Sequence, residues 1–266
     1  MNGSADFEAN PAAREPLEVV RRLYDAWNAG DVAGAAELLS PAVRWESFGT
    51  SPPVAGPQGL QATLAGGSSG ATWTLSPLTV DLLVCVIDHV IAFSRRSGPH
   101  GEAEAERLEV WTVRDGKSVH CRGYSLEEGL AVLSQTTGSG RLEAVCRGVL
   151  AFNCGDVDGW VRLFEPDVEF VSAEQDVRRG HAGMRAYVNE LGALWPGQRL
   201  DAVQILAEST NALVISAVHH LHDASRGPRA AEPLNLVIAF EGDRACRVIG
   251  HATPEEALSA AAGTGA

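Results

Sequence analysis

The pentapeptide Asn28-Ala29-Gly30-Asp31-Val32 returns 125 residues later as Asn153-Cys154-Gly155-Asp156-Val157. Each copy follows a segment with helical spacing of apolar residues, and a second helical segment follows each copy. The Asn and Gly of each copy are typical of a helix end, and the Asp is typical of a helix N-cap. The repeat therefore predicts the same sharp bend between two helices in each half of the chain.

Three further landmarks recur in the same order, at offsets between 124 and 128 residues. They are the paired segments Pro41–Trp45 and Pro166–Phe170, Gly56–Leu60 and Gly180–Met184, and Glu127–Leu130 and Glu255–Leu258. Four landmarks at nearly one offset indicate a tandem duplication of one domain. We expect a disordered tail at residues 1–15, a first domain at 16–134, a linker at 135–140 and a second domain at 141–261.

Composition excludes several classes of partner. The chain of 266 residues has a net charge of −13, which disfavours nucleic acid and anionic membranes, since both need a positive surface. Its five cysteines form no C-x-x-C pair, so we expect free thiols in a reducing compartment, the cytoplasm. No apolar run is long enough to span a bilayer, and the N-terminal residues lack the pattern of a signal peptide.

Each half shows the same predicted order of elements: helix, helix, short strand, third helix and an antiparallel meander of strands. Asp115-Gly116 in the first half and Glu241-Gly242-Asp243 in the second are turn signals between the last two strands. This order predicts an α+β domain whose helices cover one face of its sheet.

These motifs give each half a resemblance to the nuclear transport factor two-like superfamily, in particular to its SnoaL-like and ketosteroid-isomerase-like branches. The residues that carry it are the two bends, the Pro-x-Val-x-Trp/Phe segments, the Gly-x-x-Gly helix starts, and the strand endings 122–128 and 249–256. The resemblance covers residues 16–134 and 141–261. It implies two cone-shaped domains, each with three N-terminal helices packed on a curved antiparallel sheet, a cystatin-like α+β barrel with a pocket at its open end.

The resemblance also bears on assembly. Members of the superfamily usually dimerise back to back through their sheets, so a covalent tandem implies an intramolecular pseudo-dimer that is a monomer in solution. The ligand implied is a hydrophobic small molecule, and no cofactor or metal is expected.

The isomerase-like branch has an Asp base after its first strand and a Tyr on its first helix. The matching positions here are Ser47 and Ser172 for the base, and Leu23 and Gly148 for the tyrosine. Tyr24 is one residue further on, a rotation of about 100° around a helix. The usual isomerase residues are therefore missing from both halves.

Hairpin spacing points to other groups in the first half. With Asp115-Gly116 as a two-residue turn, Trp111 is expected opposite His120 and Glu109 opposite Arg122. One strand face would then carry Arg107, Glu109, Trp111, His120, Arg122 and Tyr124. Two interpretations stay open: this face lines the pocket and performs acid–base chemistry, or it meets the other half of the chain.

The sequence thus nominates two sets of site residues. The candidate catalytic residues are Glu46, Glu109, His120 and Tyr124. The candidate substrate-binding residues are Tyr24, Trp27, Trp45, Trp111, Arg122, His219 and His251. Glu46 is either a base in the first pocket or a glutamate on its rim. The second-half pair His220 and His222 has metal-ligand spacing but no visible third ligand.

Two functions follow as hypotheses. The first is a SnoaL-like enzyme of small-molecule (secondary) metabolism, a cyclase, isomerase or hydrolase that acts on a polyketide-like or polycyclic substrate without a cofactor. The alternative is a non-catalytic protein that binds apolar small molecules or serves as a scaffold. The directions of Glu109 and His120 separate them: side chains that point into the pocket favour the enzyme, and side chains that meet the other half of the chain favour binding or a structural role.

Overall fold

A computed structural model describes residues 11–46, 54–59, 78–97, 103–137, 140–223 and 227–263. Its helices are Pro11–Asn28 (α1), Val32–Glu37 (α2), Leu126–Thr137 (α3), Gly140–Asn153 (α4), Val157–Val161 (α5), Gly180–Leu194 (α6) and Pro254–Gly263 (α7). Its strands are Leu39–Glu46 (β1), Val54–Ala55 (β2), Leu78–Val86 (β3), His89–Ser97 (β4), Ala103–Arg114 (β5), Lys117–Ser125 (β6), Phe164–Val171 (β7), Val177–Arg179 (β8), Arg199–Glu208 (β9), Ala212–Asp223 (β10), Gly227–Glu241 (β11) and Arg244–His251 (β12).

The element boundaries differ from the sequence-based expectation at three places. Helix α1 begins at Pro11, inside the segment expected to be a tail. Helix α3 runs to Thr137 and α4 begins at Gly140, so most of the expected linker is helical. The third helix of the first half is described only at residues 56–59, and residues 60–64 lie outside the described part. None of the described helices is both long and apolar enough to cross a bilayer.

The repeated bend has the predicted structure in both halves. The Asp31 carboxylate accepts a hydrogen bond from the Gly34 amide at 2.8 Å and caps α2, and the Asp156 carboxylate caps α5 in the same way. Gly30 adopts φ +70°, a left-handed conformation that favours glycine, and its repeat Gly155 adopts φ +72°. The N-cap and helix-end predictions are confirmed.

One sheet runs through both halves, in the order β2-β1-β6-β5-β4-β3-β9-β10-β11-β12-β7-β8. Most neighbours are antiparallel, but β1–β6 and β7–β12 are parallel. The halves join through a parallel pair, β3 with β9, in which Val84 is opposite Val203. The two sheets therefore meet edge to edge and not back to back. That this junction replaces a dimer of separate domains stays a prediction.

The parallel junction places the N-terminal helices of the two halves, α1 and α4, on opposite sides of the sheet. Helix α1 contacts β3, β4, β5 and β6 on what we call the inner face of the first half. This face buries Leu83, Cys85, Val90, Ala92, Trp111 and Cys121. The opposite, outer face carries Leu82, Val84 and Phe93 and shares one apolar core with α3, α4 and the inner face of the second half.

A β-bulge changes the predicted register of the β5–β6 hairpin. Arg114 is opposite Lys117 as expected, but the register then shifts, and His120 is opposite Thr112 instead of Trp111. Val119 is the additional residue. Because side chains alternate with a period of two, a shift by one residue moves the rest of β6 to the other face. The predicted pairing of Glu109 with Arg122 is therefore wrong; Glu109 is opposite Gly123.

Asn153 ties the two halves together at the junction. Its side-chain amide donates hydrogen bonds to the carbonyl oxygens of Leu200 at 2.8 Å and Asp81 at 3.1 Å. Its carbonyl oxygen accepts one from the Leu200 amide at 2.7 Å. Asp81 belongs to β3 and Leu200 to β9, so one side chain satisfies backbone groups of both neighbouring strands.

We predict that Asn153→Ala lowers the free energy of unfolding by about 1–3 kcal/mol, because three backbone groups lose their partner. Urea denaturation followed by circular dichroism measures the change. Asn211→Ala, at an exposed asparagine in the β9–β10 loop, is the matched control and is expected to shift the free energy by less than about 0.5 kcal/mol. Equal effects of the two substitutions would contradict this role of Asn153.

Candidate functional site

Three side chains form a hydrogen-bonded chain inside the core of the first half. The Tyr24 hydroxyl donates to Oε2 of Glu109, and Nε1 of Trp111 donates to the Tyr24 hydroxyl at 3.1 Å. Glu109 is 8% exposed, Tyr24 3% and Trp111 1%. A carboxylate is almost never this buried without hydrogen bonds, which the tyrosine supplies here.

Tyr24 lies one residue, or about 100° of helical rotation, beyond the position that the resemblance indicates for the tyrosine. Leu23 and Tyr24 are both buried on α1. The reason is that four strands, β3 to β6, contact this helix, so its buried arc is wider than a single stripe. Tyr24 therefore reaches a carboxylate even though it is displaced from the position that the resemblance indicated.

Tryptophan rings continue this cluster toward the surface. The Trp45 ring lies 5.4 Å from that of Trp111 in an edge-on arrangement, and the Trp27 ring lies 5.3 Å from Trp45. Trp27 and Trp45 are half-buried, whereas Trp111 is inaccessible. The three rings give the inner face an aromatic wall that leads from Glu109 to solvent, in a geometry favourable for aromatic pairs.

Burial governs the electrostatics of this cluster. It raises the pKa of the Tyr24 phenol well above its ordinary value, and the nearby Glu109 carboxylate raises that pKa further. Burial, and then the charge of Glu109, likewise raise the pKa of the Cys121 thiol. Tyr24 is therefore a neutral hydrogen-bond donor at physiological pH, and Cys121 is an uncharged thiol.

Two more polar residues lie on the inner face beyond Glu109. Ser94 on β4 is directly opposite Arg107 on β5, in the register that sets Ala92 opposite Glu109. Ser94 is 2% exposed, and its hydroxyl has no hydrogen-bond partner in the described part of the chain. Sequence reasoning did not select Ser94, because only the strand register brings it beside Arg107 and Glu109.

The second half has apolar residues at the positions equivalent to the polar residues on the inner face of the first half. Matching registers set Leu236 opposite Gly250 where the first half has Glu109 opposite Gly123. By the same correspondence, the residues equivalent to Tyr24, Ser94, Arg107, Glu109 and Trp111 are Val149, Ala217, Leu234, Leu236 and Ile238. The fold therefore does not require the polar residues of the first half.

Four of the nominated residues lie on the outer face of the first half. Glu46 Oε1 is 3.4 Å from Nε2 of His120, and Glu46 Oε2 is 3.5 Å from Nε of Arg122. The Arg122 guanidinium lies over the Tyr124 ring, 5.2 Å from its centre. The prediction that His120 and Tyr124 share a face with Glu109 is wrong, and the bulge in β6 is the reason. Glu46 follows them because β1 pairs with β6.

Comparison with known proteins now identifies the family. The sequence signature of the SnoaL-like domain matches residues 20–121 and again residues 145–248. The chain belongs to the SnoaL-like domain family. The resemblance and the tandem duplication predicted from the sequence are thereby confirmed. None of the curated proteins compared with this chain matches it.

Several solved structures are similar to a single SnoaL-like half. A cystatin-fold protein from Novosphingobium aromaticivorans is 24% identical, with a TM-score of 0.37 over 41% of this chain and 96% of its own. A putative polyketide cyclase from Xanthomonas campestris is 16% identical, with a TM-score of 0.38 over 45% and 94%. A protein with a ketosteroid-isomerase-like fold from Catenulispora acidiphila, in complex with trimethylamine, is 17% identical, with a TM-score of 0.37 over 44% and 90%.

The nominated histidines of the second SnoaL-like half lie apart. His219 follows Ala217 on the inner face, its Nε2 is 2.9 Å from the Gln198 side-chain oxygen, and its ring packs 6.1 Å from Phe152. His251 is opposite Asn235 on the outer face. The His222 side chain lies outside the described residues. Among those that are described, no group of three His, Cys, Asp or Glu residues is arranged to hold a metal ion.

We predict that Tyr24→Phe lowers the free energy of unfolding by about 1–3 kcal/mol at pH 7, because Glu109 and Trp111 both lose a buried partner. Urea denaturation provides the measurement. Tyr124→Phe removes the same hydroxyl on the outer face, where the ring makes the contact with Arg122, and should cost less than about 0.5 kcal/mol.

The raised pKa of Tyr24 adds a pH dependence to this prediction. Its contribution to stability is fully present below the unfolded-state value of about 10 and is lost as pH rises above it. The wild-type protein should therefore lose stability more steeply than Tyr24→Phe above pH 10. Parallel slopes for the two proteins would show that Tyr24 is not the buried ionisable group.

The lowered pKa of His219 predicts a loss of folding stability in acid, whereas Tyr24 predicts a loss in base. Burial, and then the neighbouring His220, lower the pKa of His219 to about 4. A lowered histidine pKa contributes stability above the unfolded-state value of about 6.5, which is lost as pH falls toward 4. His219→Gln should flatten the stability profile between pH 6.5 and 4, where the group accounts for about 3 kcal/mol.

Proposed function

We propose that the protein is a SnoaL-like small-molecule enzyme whose first half performs cofactor-free acid–base chemistry on a hydrophobic, polycyclic or polyketide-like substrate. One observation carries the proposal: a glutamate, Glu109, is buried on the inner face and held by Tyr24. The second half has leucine at this position within the same fold. Burying a carboxylate opposes folding, so a chemical role is the best account of its presence.

Glu109 is the proposed general base. Tyr24 donates to Oε2 and so orients the carboxylate, and Trp111 orients Tyr24 in turn. The carboxylate takes a proton from a carbon next to a carbonyl group and returns it to another atom of the substrate. Exclusion of water strengthens a carboxylate as a base, because burial disfavours its charged form.

The aromatic wall supports the substrate class. Trp27 and Trp45 are half-buried where the inner-face cluster reaches solvent, so a ligand would meet them before it reaches Glu109. Flat apolar rings pack favourably on such indoles, and few polar groups are needed to fix their orientation. The second half, which is aliphatic at the positions equivalent to the polar cluster, serves the fold in this proposal.

A second candidate function is the binding of an apolar ligand without chemistry. The observation in its favour is the second half itself, where every residue equivalent to the polar cluster is aliphatic. A binding protein would hold its ligand there as well, and Glu109 would serve only to fix Tyr24.

Proton exchange separates the two functions. 2-Tetralone, a bicyclic ketone with acidic α-protons, is incubated with the protein in deuterated buffer, and proton NMR follows the loss of the α-signals. We predict that the wild type accelerates the exchange and that Glu109→Gln reduces this acceleration at least about 100-fold, as expected on loss of a general base. The glutamine is close in size and still accepts the Tyr24 hydrogen bond.

Glu46→Gln is the matched control, because it makes the same change on the outer face, and it should retain the wild-type rate. Binding of 2-tetralone without exchange by the wild type would favour the non-catalytic function. If Glu46→Gln and Glu109→Gln lost exchange equally, the result would contradict a base on the inner face.

A further inference from the structure

Four polar side chains form a row across the outer face of the second half. Gln204, Ser216, Asn235 and His251 lie on the neighbouring strands β9, β10, β11 and β12, and each is directly opposite the next. Gln204 is 6% exposed, Ser216 is 8% exposed and Asn235 is inaccessible. Polar side chains at this depth oppose folding unless they are hydrogen-bonded, so the row needs a physical reason.

The first half shows that the fold does not require this row. The same strand registers set Leu82, Phe93, Leu108 and Tyr124 opposite one another at the equivalent positions. The first three belong to the apolar core that the outer face of the first half shares with α3 and α4, and Tyr124 packs against that core. The second half therefore has a polar row where its duplicate has apolar packing.

Hydrogen bonds within the chain satisfy only part of the row. The Ser216 hydroxyl donates to the side-chain oxygen of Asn235 at 2.9 Å, and the Asn235 side-chain nitrogen donates to the carbonyl oxygen of Ala252 at 3.3 Å. Within the described part of the chain, the Gln204 side chain makes no hydrogen bond, and Nε2 of His251 is buried without a partner. Gln204 thus keeps a donor and an acceptor for another molecule, and Ser216 keeps an acceptor.

A cavity of about 490 Å³ adjoins the two members of the row nearest the junction. Gln204 and Ser216 line it, and its apolar walls include Leu17 on α1, Val218 on β10 and Pro233 on β11. A space of this size holds a small organic molecule. Gln204 also borders a neighbouring cavity of about 560 Å³, which Ser216 does not line. The position where both polar side chains are in reach is therefore the first cavity.

Helix α1 separates this cavity from the inner-face cluster of the first half. Its Val20, Leu23 and Tyr24 are buried in the core of the first half, whereas its Glu18 and Arg21 line the cavity. Among the described residues, the buried apolar side chains on this side of the sheet form two clusters, one under α1 and one under α7. The cavity lies between these clusters, where the duplicated arrangement on the opposite side has one continuous core.

The hydrogen-bonding groups of the cavity define the chemistry of a ligand. A glutamine side chain presents a carbonyl oxygen and an NH2 group side by side, so its best partner presents N–H and C=O side by side. Ser216 adds an acceptor beside them, because its own proton is donated to Asn235. Arg21, a cation that lines the cavity, lies 3.6 Å from the Asp201 carboxylate, so its charge is already balanced.

We propose that this cavity binds a flat, neutral ligand that carries a cis amide, as in a lactam or a pyrimidine base. The ligand carbonyl accepts from the Gln204 side-chain nitrogen, and the ligand N–H donates to the Gln204 side-chain oxygen. The remaining apolar surface packs on Leu17, Val218 and Pro233. This site is independent of the proposed function, because it uses none of the residues assigned to acid–base chemistry.

Isothermal titration calorimetry with 2-quinolone, a bicyclic lactam, tests the proposal. N-Methyl-2-quinolone and 2-methoxyquinoline are the comparison ligands, since each has the same rings but lacks the N–H group. The wild type should bind 2-quinolone at least about 10-fold more tightly than either, as expected for a bidentate hydrogen-bonded pair. Uracil has the same edge without the second ring, so tighter binding of uracil identifies a pyrimidine base and tighter binding of 2-quinolone identifies an apolar lactam.

Substitutions of Gln204 test the hydrogen-bond pattern. Gln204→Leu introduces the residue of the equivalent position in the first half and should weaken 2-quinolone binding at least about 10-fold. Its midpoint of urea unfolding should be unchanged or raised, because an unsatisfied amide is removed. Gln204→Glu replaces the donor with an acceptor. It should reverse the preference in favour of 2-aminoquinoline, which presents two donors when its ring nitrogen is protonated.

A matched pair of tryptophan substitutions tests the location. Ala231 is exposed and lines the cavity, so Ala231→Trp should obstruct it and weaken 2-quinolone binding at least about 10-fold. Glu232→Trp makes the same change at the next residue, which is also exposed and whose side chain lies on the other face of β11. It should leave the affinity unchanged.

Three results would overturn the inference: equal binding of 2-quinolone and N-methyl-2-quinolone, undiminished binding by Gln204→Leu, or protection of Cys154. Cys154 is an exposed free thiol that lines a cavity of about 570 Å³ on the opposite side of the sheet. Protection of this thiol from iodoacetamide by 2-quinolone, measured by peptide mass spectrometry, would place the ligand there. None of these measurements depends on the exchange of 2-tetralone, so either proposal can fail while the other stands.

Discussion

A hydrogen bond from the Ser118 amide to the carbonyl oxygen of Leu38, 2.9 Å long, fixes the start of β6 against β1. The second half repeats it between Ala245 and Leu163 at 2.9 Å. In both halves the register of the last hairpin shifts by one residue directly after this contact. Every later side chain of β6 takes its face from that shift, so the bulge decides that Cys121 and Gly123 lie on the inner face while His120, Arg122 and Tyr124 lie on the outer one.

The inner face of the first half holds a buried glutamate, a tyrosine and a tryptophan that are hydrogen-bonded in a chain, and two further indole rings, whereas the positions equivalent to Tyr24, Glu109 and Trp111 in the second half are aliphatic. The comparison is informative because the two halves share one fold, one bulge and one helical bend. Buried polar groups oppose folding unless each is satisfied, and a duplicated domain has no structural need to bear this cost in one copy only. The same inner-face positions thus carry a polar cluster in one half of the chain and apolar packing in the other.

The parallel pairing of β3 with β9 determines where the two inner faces lie in the molecule. Because the equivalent strands β3 and β9 run side by side in the same direction, the inner faces of the two halves lie on opposite sides of a continuous sheet. The outer face of the first half continues directly into the inner face of the second, with Val84 opposite Val203. The apolar core of the second half therefore packs against the back of the strands that carry Glu109 and Ser94.

The sequence by itself determined the duplication, the capped bend, the order of elements and the family, because these depend on local spacing and on turn chemistry that repeats. It also selected Tyr24, Trp27, Trp45, Glu109 and Trp111, whose residue types suit a pocket. Only the tertiary structure decided which residues share a face, since one additional residue at position 119 moved His120, Arg122 and Tyr124, with Glu46, to the outer side. Ser94 could not be found from spacing, because its significance lies in a cross-strand neighbour and in a missing hydrogen bond. Faces and partners are properties of strand pairing between distant segments, and local sequence does not encode a one-residue bulge.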